Sequence, residues 1–191
     1  MDENCKPFIL GDRSAEVFRR LLKERIIIIG TPIDDTIANL VSAQMLFLQT
    51  ESMKKDIQLY VNSPGGSVTA CLAIHGTMKA VKCDVATYGI GQAAGGALLL
   101  LTAGTKRKRF ALPRSRLMFT DVWGGKSGSA KDIAIHEGEI ARLKRTLCEL
   151  FATHTGHPVA GIEQAMAAER SFSAQEGVDL GLVDDVIEST P

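Results

Sequence analysis

The first half of the chain alternates continuous apolar runs with segments in which apolar residues recur every three or four positions. Strands are predicted at 25–30, 56–62 and 84–90, because short apolar runs bounded by turn residues are typical of buried strands. Helices are predicted between them from apolar stripes, which are Ile37, Leu40, Val41, Met45 and Leu48 before the second strand and Ala70, Ile74, Met78 and Val81 before the third. Alternating strands and helices with short connections imply parallel pairing through right-handed crossovers, which is an α/β architecture.

The second half of the chain combines two short strand-like runs with one long helical pattern. The strands are predicted at 108–112 and 116–120, and the helix from near Ser129 to His154. A narrow apolar stripe along this helix can pack against a neighbouring helix as well as the chain's own core; it consists of Ile133, Ile140, Leu143, Leu147 and Leu150. The remaining predicted elements are 17–24, 162–168 and 182–187. Because no repeat or linker interrupts the pattern, the chain is predicted to form one domain, 1–191.

The composition is that of a folded protein without a strongly charged partner. Its 191 residues are 45% hydrophobic, and 22 basic residues balance 22 acidic ones, which argues against nucleic acid or an anionic membrane as the main partner. No apolar run reaches the roughly 18 residues of a membrane span, and the N-terminus lacks the pattern of a signal peptide. Four cysteines and four histidines show no metal-ligand spacing. We therefore predict a cytoplasmic protein without metal or cofactor.

Two glycine-rich turns, each between a predicted strand and a predicted helix, are candidate functional sites. Gly95 and Gly96 follow the third predicted strand, at a point where unpaired N–H groups and the positive end of a helix dipole converge. Hydrolases place a nucleophile at such a turn, but glycine provides none. At the other turn, Gly65 and Gly66 either form only a connection capped by Ser67 or allow a substrate backbone to approach closely.

The chain resembles the proteolytic subunit of Clp protease in many short segments that occur in the same order and spacing. These segments lie between Arg20 and Ile187 and comprise 20–25, 35–40, 43–48, 62–67, 91–94, 109–113, 115–116, 132–136, 154–156 and 181–184. That subunit is a serine peptidase that forms a barrel beneath an ATP-driven unfoldase. The resemblance implies a ClpP/crotonase-like spiral of β-α-β units with a projecting handle helix. It divides the domain into an N-terminal arm (1–17), a head (18–121), a handle region (122–156) and the C-terminal part of the head (157–191).

The three positions that match the family's catalytic triad do not hold its catalytic residues. Gly95 stands where the family has its serine nucleophile, Thr120 where it has histidine, and Glu169 where it has aspartate. Acyl transfer by the family's mechanism needs a nucleophilic oxygen, an imidazole base and a carboxylate that orients the base. The chain is therefore predicted to lack peptidase activity of its own, similar to the ClpR-type subunits that accompany active paralogues.

The resemblance also implies a peptide-binding region and a ring architecture. The positions that match the peptide-binding region are Gly65, Gly66, Gly96, Gly124 and Gly125. Family members form heptameric rings that stack in pairs, and the handle helices of facing rings interdigitate. Val122 and Trp123 replace the family's usual Pro-Leu pair beside the last two of these glycines. Peptide binding and contact between rings are therefore both expected to differ in this chain.

A docking site for an AAA+ unfoldase follows from the same resemblance. In the family, apolar pockets on the outer rim of the ring bind loops of the unfoldase. Tyr60, Phe110 and Leu112 stand at matching pocket positions, whereas Ala80 replaces a usual phenylalanine and Gln58 a usual aromatic residue. Docking of the unfoldase is therefore predicted to be weakened or asymmetric.

Three functions from different classes fit the sequence. The favoured one is a noncatalytic structural or regulatory subunit of a Clp protease barrel that assembles with active serine-peptidase paralogues. The second is an active peptidase with a relocated nucleophile, for which Ser67, Thr69 and Thr120 are the nearest candidates. The third is a homomeric scaffold that binds peptides without cutting them. In a plastid-bearing organism the expected location is the plastid stroma.

Overall fold

The computed structural model of the chain describes residues 12–122 and 129–188. Within these ranges the chain forms seven helices and seven strands. In chain order they are α1 (Asp12–Lys23), β1 (Ile26–Ile29), α2 (Asp35–Glu51), β2 (Ile57–Ser63), α3 (Val68–Ala80), β3 (Val85–Ala94), α4 (Gly96–Thr102), β4 (Arg109–Ala111), β5 (Arg116–Met118), α5 (Ala130–Thr155), α6 (Val159–Ala167), β6 (Ser171–Phe172), α7 (Ala174–Asp179) and β7 (Asp185–Val186). No described helix combines the length and the apolar character that crossing a bilayer requires.

The strands form one mostly parallel sheet in the order β1-β2-β3-β4-β7. Strand β3 is long enough to have two neighbours on one edge. Its first half pairs with β4, and its last residues pair with β5, where Gln92 lies opposite Arg116 and Ala94 opposite Met118. β6 then pairs antiparallel to β5. This mixed α/β architecture confirms the predicted fold class, and the β3–β5 pairing brings the end of β5 beside the glycine turn that follows β3.

Helices α2, α3 and α4 supply most of the core around the sheet. Every residue of α4 is buried, as expected for a helix with apolar side chains on all faces. The predicted stripe of α3 is buried in full, and so are Val41, Met45 and Leu48 of α2. The assignment of Leu40 to the same stripe is wrong, because Leu40 is 53% exposed and lies on the outward face of α2.

Some element boundaries differ from the sequence predictions, and two short elements were not predicted. Helix α1 begins at Asp12, inside the segment predicted as an arm. Arg13, Ala15 and Glu16 favour a helix, but residues 12–16 contain no apolar stripe that would predict one. Strand β3 continues past Ile90 to Ala94, since β5 supplies it with a partner there. Strand β6 and helix α7 are too short to produce a detectable period, so the sequence did not predict them.

Helix α5 agrees with the long predicted helix and has a clear signal at each end. Ser129 and Asp132 form a reciprocal capping box at its start, and Gly156 ends it in the left-handed conformation with φ 82°. Phe151 near its end is 1% exposed, whereas Ile133 and Ile135 near its start are 40% and 62% exposed. The helix is therefore anchored in the core at its C-terminal end, and its N-terminal half extends away from the core.

Candidate functional site

The turn between β3 and α4 has the geometry of a nucleophile elbow. Gly95 lies between the strand and the helix with φ 52° and ψ −120°. Residues other than glycine adopt this backbone conformation only with strain. Its N–H donates to the carbonyl of Met118 at 3.0 Å, which joins the turn to the end of β5. In hydrolases such a sharp strand-to-helix turn exposes the nucleophile. The conformation is present in this chain, but the nucleophilic atom is not.

The second glycine turn lies directly against the first. The carbonyl of Gly65 accepts from the N–H of Ile33 at 2.8 Å, which fixes the turn after β2. A Cβ on Gly65 would lie 2.7 Å from the carbonyl oxygen of Ala94 and 3.5 Å from the nitrogen of Gly96. A Cβ on Gly66 would lie within 2.2 Å of the backbone oxygen of Ile33. The backbones therefore approach so closely that only glycine fits at 65 and 66.

These turns border a cleft of about 490 Å³ that contains all three positions matching the triad. Its lining within the described residues consists of Pro32, Pro64, Gly65, Gly66, Val68, Gly95, Gly96, Met118, Thr120, Asp121, Val122, Leu147 and Glu169. Three of the predicted peptide-binding glycines are thus brought together with Gly95, Thr120 and Glu169. Gly124 and Gly125 lie outside the described residues.

Thr120 lies where a side chain on residue 95 would have to be placed. A Cβ built on Gly95 would come within 2.4 Å of the Thr120 hydroxyl oxygen. The hydroxyl thus fills the space beside the turn, and the glycine and the threonine are sterically matched to each other. Glu169 lines the same cleft in a left-handed conformation with φ 46°. All four histidines of the chain fall in the described ranges, and none of them lines the cleft.

An ion pair that the sequence did not reveal borders the cleft. Lys144 of α5 lies 2.8 Å from the carboxylate of Asp121, which also accepts from the N–H of Val122 at 2.8 Å. The hydrogen bond to Asp121 raises the pKa of Lys144, so this amine stays protonated and is a poor general base. No local motif joins positions 121 and 144, because the helix α5 brings them together only in the folded chain.

The candidate relocated nucleophiles have no base beside them. The Ser67 hydroxyl accepts from the N–H of Ala70 as the cap of α3 and lies 3.0 Å from the Thr69 hydroxyl. In the described part of the chain, no imidazole lies within hydrogen-bond distance of the hydroxyls of Ser67, Thr69 or Thr120. Burial also raises the pKa of the nearby Cys71 thiol to about 12, which keeps it protonated. The contacts therefore favour a site without a nucleophile.

The predicted docking residues lie on the sheet rather than in the cleft. The ring of Tyr60 stacks on Tyr88 with centroids 4.6 Å apart, and Tyr88 stacks on Phe110 at 5.2 Å. This row of aromatic rings includes Tyr88, which lies opposite Tyr60 in the pairing of β2 and β3 and is not one of the predicted docking residues. Gln58 lies two residues before Tyr60 and so on the same face of β2. Leu112, just after β4, is 40% exposed.

The described residues form an α/β fold with a hydrolase-type elbow and a glycine-lined cradle, in which positions 95, 120 and 169 hold glycine, threonine and glutamate. The family model described as Clp protease matches residues 10–190 of the chain. The chain therefore belongs to the Clp protease family. Membership supports a role as a subunit of a protease barrel, because the family forms oligomeric rings, typically with Clp ATPases.

Proposed function

We propose that this chain is a noncatalytic structural or regulatory subunit of an ATP-dependent Clp protease barrel. The observation behind the proposal is the contact between positions 95 and 120, where a threonine hydroxyl fills the space that a nucleophile would need. The chain resembles a ClpR-type subunit, and its partners are active serine-peptidase paralogues that supply the cleavage. A cytoplasmic location, or the plastid stroma in a plastid-bearing organism, is part of the proposal.

The chemistry of the cleft supports an inactive subunit. Gly96 is the first residue of α4, so its N–H has no acceptor within the helix and can still hydrogen-bond to a peptide carbonyl. A site with only such donors accelerates hydrolysis by about 10³–10⁴ over water, which is far below the rate of a protease. The cradle therefore favours binding over cleavage.

The outward face of α2 supports assembly into rings. Leu40 and Phe47 lie two turns apart on this face, Leu46 adjoins it, and each of the three side chains is about half exposed. The opposite face of α2 is buried in the chain's own core, so the helix is apolar on two sides. Helices of this kind are buried in the complete assembly. We infer that a neighbouring subunit covers the outward face in the ring.

The direct test combines assembly and activity. The chain is purified alone and together with a Clp paralogue that has the Gly-Gln-Ala-Ala-Ser turn, and size, peptide cleavage and labelling by a fluorophosphonate are measured on the same fractions. We expect mixed rings in which only the paralogue is labelled. Labelling or peptide cleavage by this chain alone would instead support the relocated nucleophile and contradict the proposal.

A homomeric peptide-binding scaffold is the second candidate, because the cleft and its glycine cradle are open for a peptide backbone. It differs from the first candidate in that this chain forms stable rings alone and binds peptide without cutting it. Size determination of the isolated chain, with a fluorescent peptide present, separates the two. Rings of this chain that bind the peptide and exclude the paralogue would favour the scaffold.

Charged substitutions on the outward face of α2 are expected to prevent ring formation. In Leu46→Asp with Phe47→Asp, two carboxylates would have to be buried without partners at the proposed contact. We expect the amount of assembled ring at a given protein concentration to fall at least tenfold, as measured by analytical ultracentrifugation. The circular dichroism spectrum is expected to be unchanged. Gln164→Asp, at an exposed position of α6, is the control for an added charge. Normal rings in the double variant would show that this face is not a ring contact.

Docking of the unfoldase is proposed to be weaker than in an active ring. The aromatic row of Tyr60, Tyr88 and Phe110 is present, but Gln58 presents an amide on the same strand face. Restoring aromatic residues with Gln58→Tyr and Ala80→Phe is expected to strengthen binding of a Clp ATPase by about tenfold. Binding to the ATPase is measured by light-scattering or interferometry titration of the assembled ring. Equal affinity before and after the substitutions would contradict this part of the proposal.

A further inference from the structure

Two histidines that play no part in the cleft face each other where the base of α5 meets α3. The Nε2 atoms of His75 and His154 are 3.0 Å apart, and the two rings meet edge to face with centroids 5.3 Å apart. Such a contact requires one ring to donate its N–H and the other to accept through its lone pair. Both rings satisfy this requirement when they are neutral.

The groups around the histidine pair are mainly cationic. Lys79 lies one turn after His75 on α3 and donates to the carbonyl of Ala103 at 2.6 Å. Arg109 of β4 donates to the backbone carbonyl of His154 at 3.3 Å, and its charge is paired with Asp184. Lys106, in the connection between α4 and β4, is a third positive charge that acts on His154. Any proton added to the pair therefore enters a region that already repels it.

Burial, followed by the charge of Lys79, lowers the pKa of both rings. For His154 the pKa falls to about 4, with His75, Arg109 and Lys106 contributing further repulsion. Near neutral pH both imidazoles are therefore uncharged, in agreement with the hydrogen bond between them. When both rings are protonated, both Nε2 atoms carry hydrogen. Two N–H groups would then face each other at 3.0 Å without an acceptor.

We propose that the histidine pair is an acid-sensitive contact that fixes the base of the handle helix to the head and opens when both rings are protonated. His154 lies in the last turn of α5, three residues after the buried Phe151 and two before the helix ends at Gly156. The N-terminal half of the same helix extends away from the core. Loosening of the last turn would therefore change the direction of the handle, and with it the contacts that the handle makes.

The direction of the pH dependence follows from comparing a closed state, in which the two rings are hydrogen-bonded, with an open state, in which they are apart. A histidine in the open state has an ordinary pKa near 6.5, whereas in the closed state the pKa of His154 is about 4. Above about pH 6.5 the pKa difference does not favour opening. As the pH falls towards 4, the free energy of the closed state relative to the open state becomes progressively less favourable. The open state binds the proton, so the opening constant rises by up to about tenfold for each pH unit in this window.

A proton explains the pair better than a metal ion does. Two imidazole nitrogens on one zinc ion would each lie about 2.0–2.1 Å from it, which suits the spacing. However, no group of three His, Cys, Asp or Glu side chains suited to a metal occurs among residues 12–122 and 129–188. The three neighbouring cations also oppose a divalent ion. Experiments with and without a chelator distinguish the two.

The test is hydrogen exchange of the full chain between about pH 7 and about pH 5, with EDTA present and the intrinsic exchange rate divided out. The opening constant of the amides at 151–155 is expected to rise by about tenfold or more relative to β2. Glutamine can hydrogen-bond but does not titrate. In the double variant His75→Gln with His154→Gln, the rise in the opening constant is therefore expected to disappear. His157→Gln, an exposed histidine outside the pair, is the matched control and is expected to behave like the unchanged chain.

Three results would overturn the proposal: an undiminished rise in the double variant, a rise that EDTA abolishes, or a His154 midpoint at or above 6.5 in an NMR titration. The NMR titration uses the unchanged chain, so it decides the question even where the double variant does not fold. A midpoint well below 6.5, with 151–155 opening over the same pH range, is the supporting result.

Discussion

Gly95→Ser is expected to lower the stability of the chain by about 2–4 kcal/mol and to produce no peptidase activity. The new Cβ would lie 2.4 Å from the Thr120 hydroxyl oxygen, and the backbone at 95, with φ 52°, disfavours any side chain. The added hydroxyl would still have no imidazole beside it, because none of the chain's histidines lines the cleft. Denaturant unfolding and cleavage of a fluorogenic peptide are the measurements.

The clash can be separated from the backbone strain with a second substitution. Thr120→Ala removes the hydroxyl that the new side chain meets, so the double variant with Gly95→Ser is expected to recover about 1 kcal/mol relative to the sum of the single changes. Gly161→Ser on α6 is the control, since a Cβ there has no atom within 4 Å. Strictly additive effects would contradict the steric match between positions 95 and 120, and peptide hydrolysis by Gly95→Ser would contradict the expectation that the added hydroxyl stays unactivated.

Arg109→Met is expected to destabilise the chain by about 3–5 kcal/mol, the largest effect of a single substitution proposed here. Arg109 is 4% exposed, and its guanidinium is held by the carboxylate of Asp184 at 2.6 and 2.9 Å. It also donates to the carbonyls of Thr102 at the end of α4, His154 at the end of α5 and Gly181 after α7, and so joins three segments of the fold. Without the guanidinium, the Asp184 carboxylate keeps only backbone donors, among them the N–H of residue 109 at 3.0 Å, and loses the positive charge that balances it.

The same pair predicts a pH dependence at the acid end. Burial on its own raises the pKa of Asp184, but the hydrogen bonds and charge of Arg109 bring the pKa below its usual value. The pair therefore stabilises the fold above the unfolded pKa of about 3.9, and this contribution is lost as the pH falls below that value. Asp184→Asn is expected to remove this dependence, which unfolding measurements between about pH 5 and about pH 2 test directly.

The exposed pair of Arg142 and Glu139 on α5 provides the control for Arg109. Both of its side chains are about half exposed or more, so Arg142→Met is expected to cost less than about 0.5 kcal/mol. For a chain of this length, the loss at Arg109 corresponds to a fall in Tm of roughly 10 °C. A Tm for Arg109→Met within a degree or two of that for Arg142→Met would show that the buried pair does not hold these segments of the fold together.

Much of the fold could be predicted because it depends on local patterns. The runs at β1, β2 and β3 and the stripes of α2 and α3 have the periods of the elements they form, and Ser129 and Gly156 bound α5 with ordinary caps. Family membership also depended on short segments that occur together in order, and the match over residues 10–190 confirmed it. Leu40 was placed wrongly because α2 is apolar on two faces, and one helical period cannot tell which face enters the core.

The amino-acid sequence by itself determined the α/β class, the family and the absence of a serine, a histidine and an aspartate at the three positions that match the triad. Only the tertiary structure decided that Thr120 occupies the space beside Gly95, that Lys144 holds Asp121, and that His75 meets His154. The reason is physical. Hydrophobic period and turn chemistry act between near neighbours in the chain, whereas these contacts join residues of different elements that meet only after β3, β5 and α5 have packed together.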